Sequence, residues 1–427
     1  MPERLIYCPC EQYTSRWTEV VSKQDGMFER RLKHNGIEFG VYRPDEVVRT
    51  IKSGVVMDTC ERTKWGFNQV LQVMAGIEKG YIQPGRDVVY WEDFWTPGFE
   101  MLPYCQSLKF GPDQKNWVPM YAFCHAQSVD PNDFTAPMAW WMRKFERGIA
   151  IALNGVFTAA PELVKMLRYG GIVPYASDKA QAVGTVFDSS VLESIHPFSP
   201  RKYADYKTVV FSSRWDKEKD PDFFMSLANY VLQERPDVRF IVCTGQSELK
   251  SNDQSLLIRA AKMAETYTNR FVIATSLRKA GYYSILNKAH VQFNCALQDF
   301  VSYTLLEAAY YGAAPLYPHR LTFPDALHHN ERHLYKTDQF KDVQDAKNKL
   351  YELLDSPPDS YTWIYQKYED SVQRMLQTMG FKVPAVESLH SAMQRGILER
   401  VSGHKIEFKG QPAPIGDQVE NRDRDSE

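Results

Sequence analysis

Short runs of consecutive apolar residues recur along the chain, each followed by polar residues and then by a stretch with apolar positions three and four apart. In the first half the runs fall at 4–8 ("RLIYC"), 37–42 ("IEFGVY"), 87–91 ("DVVYW"), 118–125 ("VPMYAFCH") and 155–159 ("GVFTA"). Runs of this length with no polar alternation predict strands buried on both faces. Helical spacing appears around 26–34, over 67–80 with a glycine where the helix should stop, and over 138–153 ("MAWWMRKFERGIAIAL"). Thr96 and Pro97 read as the N-cap and first position of another helix.

The turn-rich segment 196–206 ("HPFSPRKYADY") is the predicted domain boundary. Beyond it the alternation becomes regular. Strands are predicted at 208–211, 239–243, 271–274, 291–294 and 314–317, with helices at 222–234, 256–267, 280–288 and 303–311, the last closed by Gly312. Strands alternating with helices imply parallel sheets covered on both sides, here in two facing doubly wound domains. The boundaries are 1–200 for the first domain and 205–355 for the second. A long amphipathic helix, 361–380, opens a segment (about 360–400) that returns to brace the first domain, and a disordered tail runs over 403–427.

A length of 427 residues fits two cores. The net charge of −2 supplies no global basic field for nucleic acid. Seven cysteines with no C-x-x-C pair point to a reducing, cytoplasmic compartment, and no apolar run approaches the ~20 residues of a membrane span.

Open α/β sheets bind ligands beyond the carboxyl ends of their strands, so the residues after each strand carry the chemistry. The strand at 208–211 leads into "SSRWDKEKDP", with Arg214 and Lys219; the strand at 239–243 leads to Gly245. The strand at 291–294 leads into "CALQDFVSYTLLEAAYYGAAPLY", where Asp299 precedes a helix opening near Ser302 and Glu307 lies inside that helix. A helix N-terminus and two cations suit a phosphate group, whereas carboxylates accept only and suit sugar hydroxyls. Solvated acids on an ordinary helix are the alternative. Asp220, Pro221 and Asp222 read as a helix cap rather than a metal-binding D-x-D, and 328–333 ("HHNERH") as a surface loop; no metal is predicted.

"QDFVSYTLLEAAYYGAAPL" resembles the donor-site signature of family 4 type retaining glycosyltransferases, which have the GT-B fold: two acids separated by seven residues, then a small-residue helix, a glycine and an apolar strand. Val301 and Ser302 stand where that family has an aromatic residue and a glycine. The Arg214–Lys219 spacing matches the family's diphosphate-binding pair. The resemblance implies a nucleotide-sugar donor (UDP-glucose or GDP-mannose, for example) as co-substrate and no cofactor or metal. It implies donor contacts from Arg214, Lys219, Gly245, Asp299, Phe300, Val301, Ser302, Tyr303 and Glu307, with Glu307 on the ribose, Asp299 on the sugar and His125 at the reaction centre.

The segments "SRWDKEKDPDFF" and "PLYPHRLTFPDAL" are similar to those of tRNA-queuosine mannosyltransferases, whose relatives in bacteriophages glycosylate hydroxymethylated pyrimidines in DNA. That resemblance implies a nucleic-acid acceptor, DNA ahead of tRNA because the first hundred residues depart from the tRNA enzymes, acting in the host cytoplasm if the chain is phage-encoded. Candidate acceptor residues are Glu92 and Asp93, which follow a strand, and the Trp140, Trp141, Arg143 and Lys144 cluster, which interleaves aromatic and cationic groups. Solvated loop acids and a helix with buried tryptophans are the alternative readings of these. A nucleotide-sugar epimerase and a non-catalytic binding protein are the rival functions on this fold.

Overall fold

The computed structural model describes residues 1–11, 18–44, 59–125, 128–133, 135–199, 205–251, 253–297, 299–300, 302–337, 342–358 and 360–384. Residues 1–384 form one compact unit. Val301, the centre of the predicted boundary, and both the tail 403–427 and the later part of the returning segment lie outside the described residues.

Among the described residues, twelve strands make two sheets. The first contains β1 (Arg4–Cys8), β2 (Glu38–Val41), β3 (Asp87–Trp91), β4 (Met120–Cys124), β5 (Gly155–Thr158) and β6 (Ala180–Ala182), in the order β2-β1-β3-β4-β5-β6. The second contains β7 (Lys207–Phe211), β8 (Val238–Cys243), β9 (Phe271–Ala274), β10 (Val291–Phe293), β11 (Ala314–Pro318) and β12 (Leu334–Tyr335), in the order β12-β11-β10-β7-β8-β9. Every pairing is parallel. Strands such as β3 and β11 are buried throughout, which is why they read as unbroken apolar runs.

The order reverses between β1 and β3 in the first sheet and between β7 and β10 in the second. At such a switch point the crossover helices leave to opposite faces, and a crevice opens above the strand ends. Both crevices are therefore lined by the segments after β1, β3, β7 and β10.

The predicted strands are all present, within a residue or two at their ends. Three helical expectations need correction. The helix predicted from Thr96 starts instead at Met101 (Met101–Phe110). Thr96 spends its hydroxyl on the Asp93 carbonyl, 2.8 Å away, and Gly98 sits at φ +86°, which no helix accommodates. The helix predicted over 67–80 begins earlier (Thr59–Glu78). The single helix predicted over 361–380 is two, Thr362–Glu369 and Ser371–Thr378, broken at Asp370. The break has a packing cause: Ile364 and Tyr368 bury in the core of the second sheet, whereas Val372, Met375 and Leu376 bury with Leu5, Tyr7 and Tyr90 of the first. The chain thus crosses back and ties the halves together. Among the described residues no helix is long and apolar enough to cross a membrane.

Candidate functional site

The segment after β7 is shaped by one side chain. Trp215 is fully buried, edge-on to Phe211 and Phe224, with its indole N–H donating to the Leu256 carbonyl at 3.3 Å. This plug leaves its neighbour Arg214 exposed and turns the chain into a short 3-10 helix, Lys217–Lys219. Asp220 then adopts a left-handed conformation (φ 47°, ψ 54°) and Pro221 starts the helix Pro221–Glu234. Asp220 occupies the predicted cap position, but its left-handed backbone makes the turn sharper than an ordinary cap. Asp222 pairs with Arg259.

The segment after β10 grips this turn. The Cys295 thiol lies 3.2 Å from the carbonyl oxygens of both Lys219 and Asp220, and the Leu297 amide donates to the Glu218 carbonyl at 2.8 Å. Fastening the two loops places Arg214, Lys219 and Asp299 in one electrostatic neighbourhood. Burial pushes the Asp299 carboxyl up, and the Lys219 and Arg214 charges pull it back down. Burial pushes the Lys219 ammonium down, opposed first by Asp299 and then by Asp133 and Asp130, while Arg214 reinforces it. Arg214 meanwhile pairs with Asp216 (3.3 Å) and with Glu218.

The helix Tyr303–Tyr310 starts at Ser302 with no side-chain cap. The Ser302 hydroxyl instead bonds Tyr317 (3.1 Å) and Thr304 (3.2 Å). Gly312, at φ +77°, lets the chain turn straight into β11. Glu307 is buried in this helix. One carboxylate oxygen accepts from Lys279 (2.6 Å) and Tyr283 (2.7 Å), both on the helix Lys279–Leu286. The other oxygen, Oε2, is buried with no hydrogen-bond partner among the described residues. Gly245 lies half-buried just past β8, one strand from Arg214.

Phe300 and Tyr303 face the other half of the molecule. Phe300 is buried in the apolar cluster of the first sheet, with Phe157 and Val183, and Tyr303 packs with Cys10 and Val21. These two rings hold the loops of the second sheet against the first.

On that side, Glu92 follows β3 and is 3% exposed. Its oxygens accept from the Tyr7 hydroxyl and, at 2.9 Å, from the Cys10 amide. Burial raises its carboxyl to about 8 despite both bonds. Its backbone carbonyl meets His125 Nε2 at 2.8 Å. His125 ends the β4 segment, lies with its ring tilted against Phe123 at 4.7 Å between centroids, and is held below the ordinary histidine range by burial, which outweighs the neighbouring Asp93. Asp93 forms an ion pair with Arg62, which also covers Trp95.

Trp140 is 77% exposed and Trp141 37%. They share the helix Ala139–Ala152 with exposed Arg143 and Lys144, while Met142, Glu146 and Ile149 face inward. The reading with buried tryptophans is corrected: the buried stripe of this helix falls on other positions. A second correction concerns 328–333. His333 is buried, bonds the Pro315 carbonyl at 2.7 Å and packs edge-on against Tyr361 and Trp363, so that segment anchors the core rather than forming a surface loop throughout. Among the described residues no group of three or more His, Cys, Asp or Glu side chains is placed to hold a metal ion.

Sequence reasoning missed the loop 128–135, whose Asp130 and Asp133 charges reach Lys219, and missed Lys279 and Tyr283 as the partners of Glu307. The loop carried a usable signal, since "SVDPND" follows the β4 strand just as "LQD" follows β10. Nothing in the spacing pointed to Lys279.

Two six-stranded parallel sheets whose carboxyl-end loops meet at their switch points constitute the GT-B fold. Solved structures that cover 94% of this chain share it. The catalytic domain of starch synthase IV from Arabidopsis thaliana, bound to ADP and acarbose, superposes with a TM-score of 0.58 at 11% identity, covering 94% of this chain and 99% of that one. An α,α-trehalose-phosphate synthase (UDP-forming) from Burkholderia vietnamiensis gives 0.55 at 10% identity, and a sucrose-phosphate synthase from Thermosynechococcus elongatus 0.54 at 13%, each with the same coverages. At these identities the likeness is one of fold. No family model matches the sequence, and no curated protein matches it.

Proposed function

We propose that the protein is a retaining glycosyltransferase that moves a sugar from a nucleotide-sugar donor to a hydroxyl on a modified nucleic-acid base. The observation that carries the donor reading is the joining of Arg214, Lys219 and Asp299 at the switch point of the second sheet. The nucleoside diphosphate lies against Arg214, Lys219 and the first turn of the helix Tyr303–Tyr310, where two cations and the positive end of a helix dipole meet developing negative charge. Glu307 Oε2 accepts a ribose hydroxyl, and Asp299 a hydroxyl of the sugar. That a starch synthase of the same fold is bound to ADP supports a nucleotide as part of the donor.

The reaction breaks the bond from the anomeric carbon to the diphosphate oxygen and forms one from that carbon to the acceptor oxygen on the same face. The acceptor proton passes to the departing phosphate. Such a route requires no dedicated base, which accords with Glu92 being engaged by Tyr7 and Cys10, and with Asp93 being paired with Arg62. His125 lies beside the strand ends of the first sheet, where the acceptor approaches, and requires no metal to orient it.

The acceptor reading rests on the exposed Trp140, Trp141, Arg143 and Lys144. Indole faces stack on bases and cations follow the backbone. Hydroxymethylated pyrimidines in phage DNA come first, queuosine in tRNA second; within a duplex the base is flipped out to reach the crevice.

The test is mass spectrometry of nucleosides after incubating hydroxymethylated phage DNA, or tRNA, with the protein and UDP-glucose or GDP-mannose. A nucleoside heavier by one sugar is expected. Conversion of the donor in the absence of acceptor would make the protein an epimerase, and donor binding without any turnover would make it a binding protein.

A further inference from the structure

Residues 128–133 and Thr135 are assigned no ligand contact in the donor site described above, yet hydrogen bonds hold them firmly. The Ser128 amide and hydroxyl both donate to Glu146 (3.1 and 2.6 Å), a fully buried carboxylate on the helix Ala139–Ala152. Asp133 accepts from the amide and hydroxyl of Thr135 (2.8 and 2.5 Å). The loop touches the other half of the molecule, with Asn132 Nδ2 3.4 Å from the Leu297 carbonyl. Leu297 is the residue whose amide bonds the Lys219 turn.

Asp130 is the residue this scaffold leaves unsatisfied. It is 1% exposed, and Oδ1 accepts the Asn132 amide at 2.8 Å. Oδ2 is buried with no hydrogen-bond partner among the described residues. Its charge and that of Lys219 act on each other across the crevice. A buried carboxylate oxygen without a donor is costly and calls for an explanation, and a group that brings hydroxyl donors removes the cost.

We propose that Asp130 binds a hydroxyl of the donor sugar, and so helps decide which sugar is transferred. The inference rests on the donor reading of Arg214 and Lys219. A diphosphate at Lys219 brings the sugar attached to it toward Asp130, whose buried Oδ2 has no hydrogen-bond partner among the described residues. Asp299 approaches the sugar from the second half of the molecule and Asp130 from the first, so recognition of the sugar requires both halves. A sugar hydroxyl can satisfy Oδ2 and the diphosphate cannot, because a carboxylate accepts and a phosphate has no proton to give at neutral pH.

The experiment is calorimetric titration of the wild-type chain and of Asp130→Ala with UDP-glucose, GDP-mannose, UDP and GDP. For whichever sugar nucleotide the wild type binds, Asp130→Ala should weaken binding by about 10- to 100-fold, the value of a hydrogen bond to a charged group. Affinity for the corresponding bare diphosphate should stay within about twofold or rise, since a negative neighbour of Lys219 has gone. Asp130→Asn, which keeps the shape of the loop, should shift the two affinities in the same directions and excludes misfolding as the cause. Equal changes for sugar nucleotide and bare diphosphate, or none for either, would overturn the proposal and leave Asp130 as a counter-charge of Lys219. A wild-type chain that binds neither kind of ligand removes the donor reading itself, and this inference with it.

Discussion

Replacing Glu92 by glutamine tests the electrostatics beneath the crevice. The carboxyl is 3% exposed, and burial lifts it from an ordinary 4.5 to about 8, with the bonds from Tyr7 and Cys10 opposing the rise. Between those two pH values the folded chain keeps a proton that the unfolded chain has lost, so stability falls as pH rises through that window and is level on either side of it. At about 1.4 kcal/mol per pKa unit, the penalty comes to about 4 kcal/mol at pH 8, where the folded group is half ionised, against less than about 1 kcal/mol at pH 5. Glutamine has the shape of the protonated acid, still accepts from the Cys10 amide, and cannot ionise. Glu92→Gln should therefore gain about 3–4 kcal/mol relative to the wild type between pH 5 and pH 8, measured by urea denaturation at a series of pH values. Because every other titrating group is shared, the difference isolates this one. A stability difference that stays constant within about 1 kcal/mol over that range would show an ordinary carboxylate, and would refute the argument from burial.

Lys219→Ala should lower sugar transfer on the order of 100-fold with the fold intact, read from initial rates and from an unchanged melting curve; near-normal turnover would remove its role at the leaving group. Reversing charge at Arg143 and Lys144 (to Glu) should weaken DNA binding and reduce the slope of affinity against salt by about 2, checked by fluorescence anisotropy at several salt concentrations. Unchanged affinity at low salt would detach that helix from the acceptor site. Lys279→Met should cost about 3–5 kcal/mol by leaving the Glu307 charge buried without its cation, and adding Glu307→Gln should recover much of it; additive losses in denaturant titrations would contradict the pairing.

The alternation of buried apolar runs with helical spacing was enough to read two parallel sheets, because a strand covered on both faces has little room for polar residues. The pattern also marked which loops matter, since the residues after a strand in such a sheet lie where ligands bind. Arg214, Lys219 and Asp299 were legible for that reason. Helix ends were less so. Thr96 and Pro97 have the composition of a helix start, but the fold of the neighbouring turn claims the Thr96 hydroxyl, and a glycine at positive φ follows.

What the sequence by itself determined was therefore the layered α/β architecture and which loops follow its strands, because both follow from local periodicity and from position after a strand. Only the tertiary structure decided that Glu92 is spent on Tyr7 and Cys10, that Lys279 pairs with Glu307, that Trp140 and Trp141 are exposed, and that the Asp130 charge reaches Lys219. Those facts depend on burial and on contacts between residues far apart in the chain: 85 positions separate Tyr7 from Glu92, and 28 separate Lys279 from Glu307. Desolvation and Coulomb attraction act through space, and a linear pattern records neither until the chain has folded.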